Sequence, residues 1–256
     1  MKRKEVIVHG HKMAYVESGK GKPVLLVHGW ADKALTFHNL IASLENDFKL
    51  YALDLPGFGS SEMWSESMGL SEFADAVQRF VDKVVDEEVY AVIGHSNGGA
   101  ISIKALGQEK LKAEKLILLA SSGVRIKRKG SALYRLTAKM LRPLFSLLPH
   151  KLSERAKKRL YSTIGSDYFV AGHMKESFKK IVAEDIRSDA SQVQQDCLLI
   201  YGSDDKATPP EFGREIESSL AGTAKFVQLD GAPHMLHHTD AEIVQQTIKQ
   251  FLNGQS

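Results

Sequence analysis

Apolar runs alternate with stretches of helical spacing over most of the chain. Val24-Leu25-Leu26-Val27, Val89-Tyr90-Ala91-Val92-Ile93 and Cys197-Leu198-Leu199-Ile200-Tyr201 contain no charged position, the pattern of strands covered on both faces. Residues 49–53, 115–120 and 224–229 read as three more strands. Residues 5–9 and 12–17 read as an antiparallel pair joined through His9-Gly10-His11. Helical spacing puts Phe37, Leu40, Ile41 and Leu44 on one face of a helix over 36–44. Ser71 is the expected cap of a helix that runs to about Val85, with Phe73, Val77, Phe80, Val81 and Val84 as its stripe. Helices are also expected over 100–106, 211–220 and 241–252. The alternation predicts an α/β fold. It stops after Ser121-Ser122-Gly123 and resumes at Cys197, which divides the chain into a core (1–123 and 196–256) and a helical insertion (124–195).

Charge sharpens that division. The net charge is only +3, but residues 124–190 hold 16 Lys/Arg against 6 Asp/Glu, and the remainder is net acidic. Within the insertion Leu133, Leu136, Met140, Leu141, Leu144, Phe145, Leu147 and Leu148 have near-helical spacing, with Arg135, Lys139 and Arg142 interleaved and Pro143 as an expected kink. This reads first as a lid over an apolar pocket. A weak contact with an anionic membrane surface is the alternative, since lipid suits a basic, apolar helix. Met174, Phe178, Ile181, Val182 and Ile186 read as an ordinary core-facing helix. No apolar run approaches the roughly 20 residues needed to span a bilayer. The basic start lacks a signal-peptide core, and Cys197 is the only cysteine, so a cytoplasmic location is expected. Cys197 sits inside an apolar run and reads as a buried small side chain. Nucleic acid is not an expected partner, and oligomeric state is left open.

The chemistry concentrates in Gly94-His95-Ser96-Asn97-Gly98-Gly99, placed between an apolar strand and a helix. A serine between glycines at a strand-to-helix turn is a nucleophile elbow: the tight turn strains the serine backbone and exposes its hydroxyl at a helix N-terminus. A serine hydroxyl needs a base, and the base needs an orienting acid. His234, in Asp230-Gly231-Ala232-Pro233-His234, follows the last strand and is the expected base. The hairpin, early-helix and insertion histidines (His9, His11, His38, His150, His173) fit less well, and His237 and His238 are expected to begin the final helix. The acid is Asp205 or its neighbour Asp204, both in the loop after residues 197–201. The expected oxyanion donors are the backbone N–H groups of Asn97, directly after the serine, and of Trp30, in the loop His28-Gly29-Trp30. His28 reads as a buried brace of that loop. The histidines are too scattered for a metal site, and no dinucleotide or phosphate loop is present, so no cofactor is expected.

Five short motifs in this order resemble the α/β-hydrolase family: His28-Gly29, Asp54-Leu55-Pro56-Gly57-Phe58-Gly59-Ser60-Ser61, the Gly94–Gly99 elbow, Gly202-x-x-Asp205-x-x-x-Pro209 and the late His234. The resemblance covers the chain outside the insertion. It implies an eight-stranded, mostly parallel sheet with a helical cap after the sixth strand, and it selects Asp205, three residues after the glycine, as the acid. It further implies a cofactor-free serine hydrolase with the catalytic residues Ser96, Asp205 and His234, acting on a small-molecule carboxylic ester. A carbon–carbon bond hydrolase of the same fold and a non-catalytic binding protein are the alternatives. Serine at the elbow argues against the family branches that use aspartate there. Pro233 stands where the family often has glycine, and implies a different loop shape before His234.

Overall fold

The structure, a computed structural model, describes residues 1–85, 87–126 and 174–255. Its strands are β1 (Lys2–Val8), β2 (His11–Gly19), β3 (Lys22–Val27), β4 (Phe48–Leu53), β5 (Val89–His95), β6 (Ala113–Leu119), β7 (Asp196–Gly202) and β8 (Ala224–Leu229). They form one sheet in the order β1-β2-β4-β3-β5-β6-β7-β8. The pairs β1–β2 and β2–β4 are antiparallel, and every pair from β4 to β8 is parallel. This is the α/β-hydrolase fold expected from the sequence.

The uninterrupted apolar strands are explained by two cores, one on each face of the sheet. Leu25, Val27, Leu116 and Leu118 point to one face, where they meet α2 (Leu70–Val84), α3 (Asn97–Gly107) and α6 (Pro210–Ser219). Their neighbours Val24, Leu26, Ile117 and Leu119 point to the other, against α1 (His38–Leu44) and α8 (Ala241–Leu252). Period-two alternation therefore fills both layers from the same strands. Cys197 lies in the first core, and burial, with Asp196 adding to it, pushes its thiol up to about 12.

Several boundaries differ from those read in the sequence, each for a local reason. β1 begins at Lys2 because pairing with β2, Lys2 opposite Glu17, does not require burial. A 3-10 turn over Ala34–Phe37 precedes α1. The N-cap of α2 is Gly69, not Ser71. The Glu72 carboxylate reaches back to the Gly69 N–H at 2.9 Å, and Glu184 accepts from the Leu70 N–H at 2.9 Å. A helix end can thus be satisfied by a side chain more than a hundred residues away. His237 and His238 fall in a separate short helix, α7 (Leu236–Thr239), ahead of α8.

Of residues 124–195, expected as an insertion, the structure describes two helices, α4 (Lys175–Ala183) and α5 (Arg187–Ala190). Lys104 of α3 holds this segment to the core through Asp189 at 3.1 Å and Glu184 at 3.5 Å. Met174, Ile181 and Ile186 are buried as expected, but Val182 is 52% exposed. The Leu133-to-Leu148 stripe, Arg135, Lys139, Arg142, Pro143, His150 and His173 lie outside the described residues. Among the described residues no helix is long and apolar enough to cross a membrane.

Candidate active site

Parallel strands deliver their following loops to one edge, and ligands bind at the carboxyl edge of such sheets. Here β3 leads to Gly29 and Trp30, β5 to Ser96, β7 to Asp205, and β8 to His234. Ser96 has φ 52° and ψ −119° and is the N-cap of α3. A left-handed φ is strained for a residue with a side chain. The strain is held by tertiary hydrogen bonds: the Ser96 N–H donates to the Leu119 carbonyl at 2.9 Å, and the Ser122 N–H donates to the Ser96 carbonyl at 3.0 Å. A Cβ at Gly98 would lie 2.0 Å from the Val27 carbonyl oxygen, and one at Gly94 2.6 Å from the Gly99 Cα. These glycines let the end of the strand, the elbow and the first turn of α3 pass this close, and α3 starts directly at Asn97 rather than at Ala100.

The Ser96 Oγ lies 3.0 Å from His234 Nε2, and His234 Nδ1 lies 2.7 Å from Asp205 Oδ2. The Asp205 side chain is fully buried, and that of His234 is 26% exposed. The other carboxylate oxygen, Oδ1, accepts from the N–H groups of Ala207 at 2.8 Å and Thr208 at 2.9 Å. The Thr208 hydroxyl lies 2.7 Å from Asp205 Oδ2, 2.8 Å from the Ala120 carbonyl and 3.0 Å from His234 Nδ1. Thr208 thus braces both side chains. Sequence reasoning passed over it, although it stands within the Asp205-x-x-x-Pro209 stretch. Asp204, the other carboxylate considered, is exposed and contacts Ser203 instead.

Burial pushes the Asp205 carboxyl up, but the hydrogen bond and charge of His234 and the donors of Thr208 outweigh it. The net pKa lies below the ordinary carboxylate value. A carboxyl depressed on folding adds stability above its unfolded pKa of about 3.9, and that contribution is lost as pH falls through the lower folded value. Urea midpoints of wild type and Asp205→Asn should therefore converge as pH falls below about 4. Parallel curves across that range would show that Asp205 does not titrate in this way.

The Asn97 N–H follows the serine at the positive end of α3, and Trp30 lies on the neighbouring loop. Neither amide hydrogen has an acceptor among the described residues. A Cβ at Gly29 would lie 3.1 Å from the Ser96 Cβ, so that loop passes directly beside the elbow. His28 is buried and braces it, donating from Nδ1 to the Gly29 carbonyl at 2.7 Å and accepting the Leu55 N–H at Nε2 at 3.0 Å. Burial lowers its pKa, in keeping with one donor and one acceptor nitrogen. Asp54, of the turn-rich exit after β4, accepts from Ala34 and Ser60 N–H groups and shapes the next loop.

A cleft of about 330 Å³ opens on Ser96 and His234. Its apolar walls include Trp30, Leu70, Val124, Phe178 and Phe212, with Arg125 and Glu184 as charged members. The Trp30 indole lies 4.9 Å from the Phe58 ring and 5.2 Å from the Phe178 ring. Phe178 and Val182 therefore face the cleft, which corrects their assignment to the core. Among the described residues no group of His, Cys, Asp and Glu is arranged to hold a metal ion.

The family model described as serine aminopeptidase, S33, matches residues 20–242. The chain belongs to this family of α/β hydrolases. Among curated relatives, this chain is 31% identical to an uncharacterised protein of Mycobacterium tuberculosis over 46% of its own length, and it spans only 34% of that protein. It is 22% identical to the AB hydrolase superfamily protein YisY of Bacillus subtilis, over 95% of this chain and 97% of the relative. Solved structures with the same fold include a membrane phospholipase A described as a bacterial virulence factor (20% identity, TM-score 0.79, covering 99% of this chain and 86% of that one). An esterase from Exiguobacterium antarcticum has TM-score 0.74 at 21% identity, covering 97% and 98%. The meta-cleavage product hydrolase CumD from Pseudomonas fluorescens IP01 has TM-score 0.74 at 18% identity, covering 99% and 98%.

Proposed function

We propose that this α/β hydrolase cleaves small-molecule carboxylic esters through an acyl-enzyme on Ser96. The observation that carries the reading is the continuous contact from Ser96 Oγ through both nitrogens of His234 to Asp205. His234 Nε2 takes the serine proton as Oγ attacks the carbonyl, and Asp205 holds the ring with its proton on Nδ1. The N–H groups of Trp30 and Asn97 receive the developing oxyanion, aided by the N-terminal end of α3. The protonated His234 then gives its proton to the departing alcohol. Water, activated by the same ring, releases the acid and restores Ser96. The apolar cleft fits a hydrophobic acyl or alcohol group of modest size. In this reading residues 124–195 form the cap that sets which group fits, and no cofactor takes part. The enzyme would work in the cytoplasm, where a single buried cysteine needs no oxidising environment.

A panel of aryl esters of increasing chain length, an aminoacyl anilide and a vinylogous 1,5-diketone tests the substrate class. The expected result is turnover of short and medium esters well above that of the other two. The anilide arm answers the description of the matched family. Preferred cleavage of the diketone would replace ester hydrolysis with carbon–carbon bond hydrolysis by the same residues. Binding without turnover of any of them would favour a ligand-binding protein.

A further inference from the structure

Ser96 and His234 come from distant parts of the sheet. The serine leaves β5, near the centre, whereas the histidine stands on the loop after β8, an edge strand whose residues are half-buried or exposed except for Leu229. Their 3.0 Å contact therefore spans three strand positions. Asp205 and Thr208 tie the His234 ring to β7. One further tie reaches β5 itself.

That tie is His95, the residue directly before Ser96. It is 2% exposed, and its Nε2 lies 3.1 Å from the backbone carbonyl of His234. A carbonyl only accepts, so the proton is on Nε2 and Nδ1 presents its lone pair. Nδ1 is buried and has no hydrogen-bond partner among the described residues. A Cβ at Gly29 would approach it to 3.1 Å, so the oxyanion loop closes over that edge of the ring. The His237 ring centroid lies 4.4 Å away on one side and that of His234 4.9 Å away on another. Leaving a ring nitrogen unpaired in the interior is unfavourable, and an apolar ring would fill the site without that cost. The imidazole contributes something an apolar ring lacks, a donor to the His234 carbonyl.

We propose that His95 is a positioning residue, whose Nε2–H fixes the His234 main chain to the strand that carries the nucleophile and so keeps the imidazole in line with Ser96 Oγ. The proposal rests on the reading of His234 as the base. Burial, then the neighbouring rings of His237 and His234, hold His95 well below the ordinary histidine pKa. The ring keeps one proton, on the nitrogen that faces the carbonyl. His237 is likewise pushed down to about 3, by burial and then by its histidine neighbours.

The test compares His95→Phe, which keeps a ring and loses the donor, with His95→Gln, whose side-chain N–H reaches about as far. Steady-state kinetics on an aryl ester are read beside thermal midpoints, with His95→Leu in place of His95→Phe if the latter does not fold. A reacting group displaced by about 1 Å loses on the order of 100-fold in rate. His95→Phe is expected to lower kcat by about 10- to 100-fold with KM nearly unchanged and the thermal midpoint maintained. His95→Gln is expected to recover most of the loss. Wild-type kcat in the donorless variant, equal losses in both variants, or a loss of kcat matched by loss of folded protein would each overturn the proposal. Turnover that survives Ser96→Ala would instead remove the reading beneath it, whatever His95 does.

Discussion

Ser96→Ala is expected to lower kcat on a short aryl ester by about 10⁴- to 10⁶-fold, and His234→Ala by a similar amount. The two losses should not add in the double variant. Oγ and Nε2 act as one unit across a 3.0 Å contact, and a serine without its base is nearly as inert as no serine. The residual rate should exceed that of water, because the Trp30 and Asn97 amides are backbone groups that neither substitution removes. Folding should be little affected by Ser96→Ala. The strain at φ 52° belongs to the backbone, and alanine inherits it with the same main-chain hydrogen bonds. Turnover that persists in both single variants would place the reacting group elsewhere.

Asp205→Asn should lower kcat by about 10⁴-fold with KM nearly constant, while Asp204→Asn should stay within a few-fold of wild type. The carboxylate accepts the His234 Nδ1 proton at 2.7 Å, and it is held there by two backbone N–H groups and the Thr208 hydroxyl. An asparagine that offers its NH₂ to Nδ1 would favour the opposite tautomer, with the proton on Nε2 facing Ser96. The base would then be occupied. Asp204 has no such contact and points to solvent. Equal effects of the two substitutions would mean that the loop re-forms around either carboxylate, and the assignment to Asp205 would fail.

The contrast between these aspartates shows what the sequence carried. By chemistry alone either could serve a histidine, and only the spacing shared with the α/β-hydrolase pattern separated them. In the structure the Asp205 N–H closes a turn on the Gly202 carbonyl, and the N–H groups of Ala207 and Thr208 hold its carboxylate. The strands were legible because burial on both faces leaves an uninterrupted apolar run, as in Val24–Val27 and Cys197–Tyr201. The elbow was legible because its steric demands fall on residues adjacent in sequence. What escaped detection is non-local. Glu184 satisfies the start of α2 from more than a hundred residues away. Phe178 and Val182 share the spacing of a core helix but line the cleft. The contact of the His95 ring with the His234 carbonyl joins residues 139 positions apart.

The central claim, that Ser96 is a nucleophile activated by His234, is tested most directly by mass spectrometry after treatment with an alkyl fluorophosphonate. The account predicts a single phosphonyl adduct per chain, on the peptide that contains Ser96, formed rapidly by wild type and lost in both Ser96→Ala and His234→Ala. An unmodified Ser96 in folded wild-type protein, or an adduct on another residue, would contradict it.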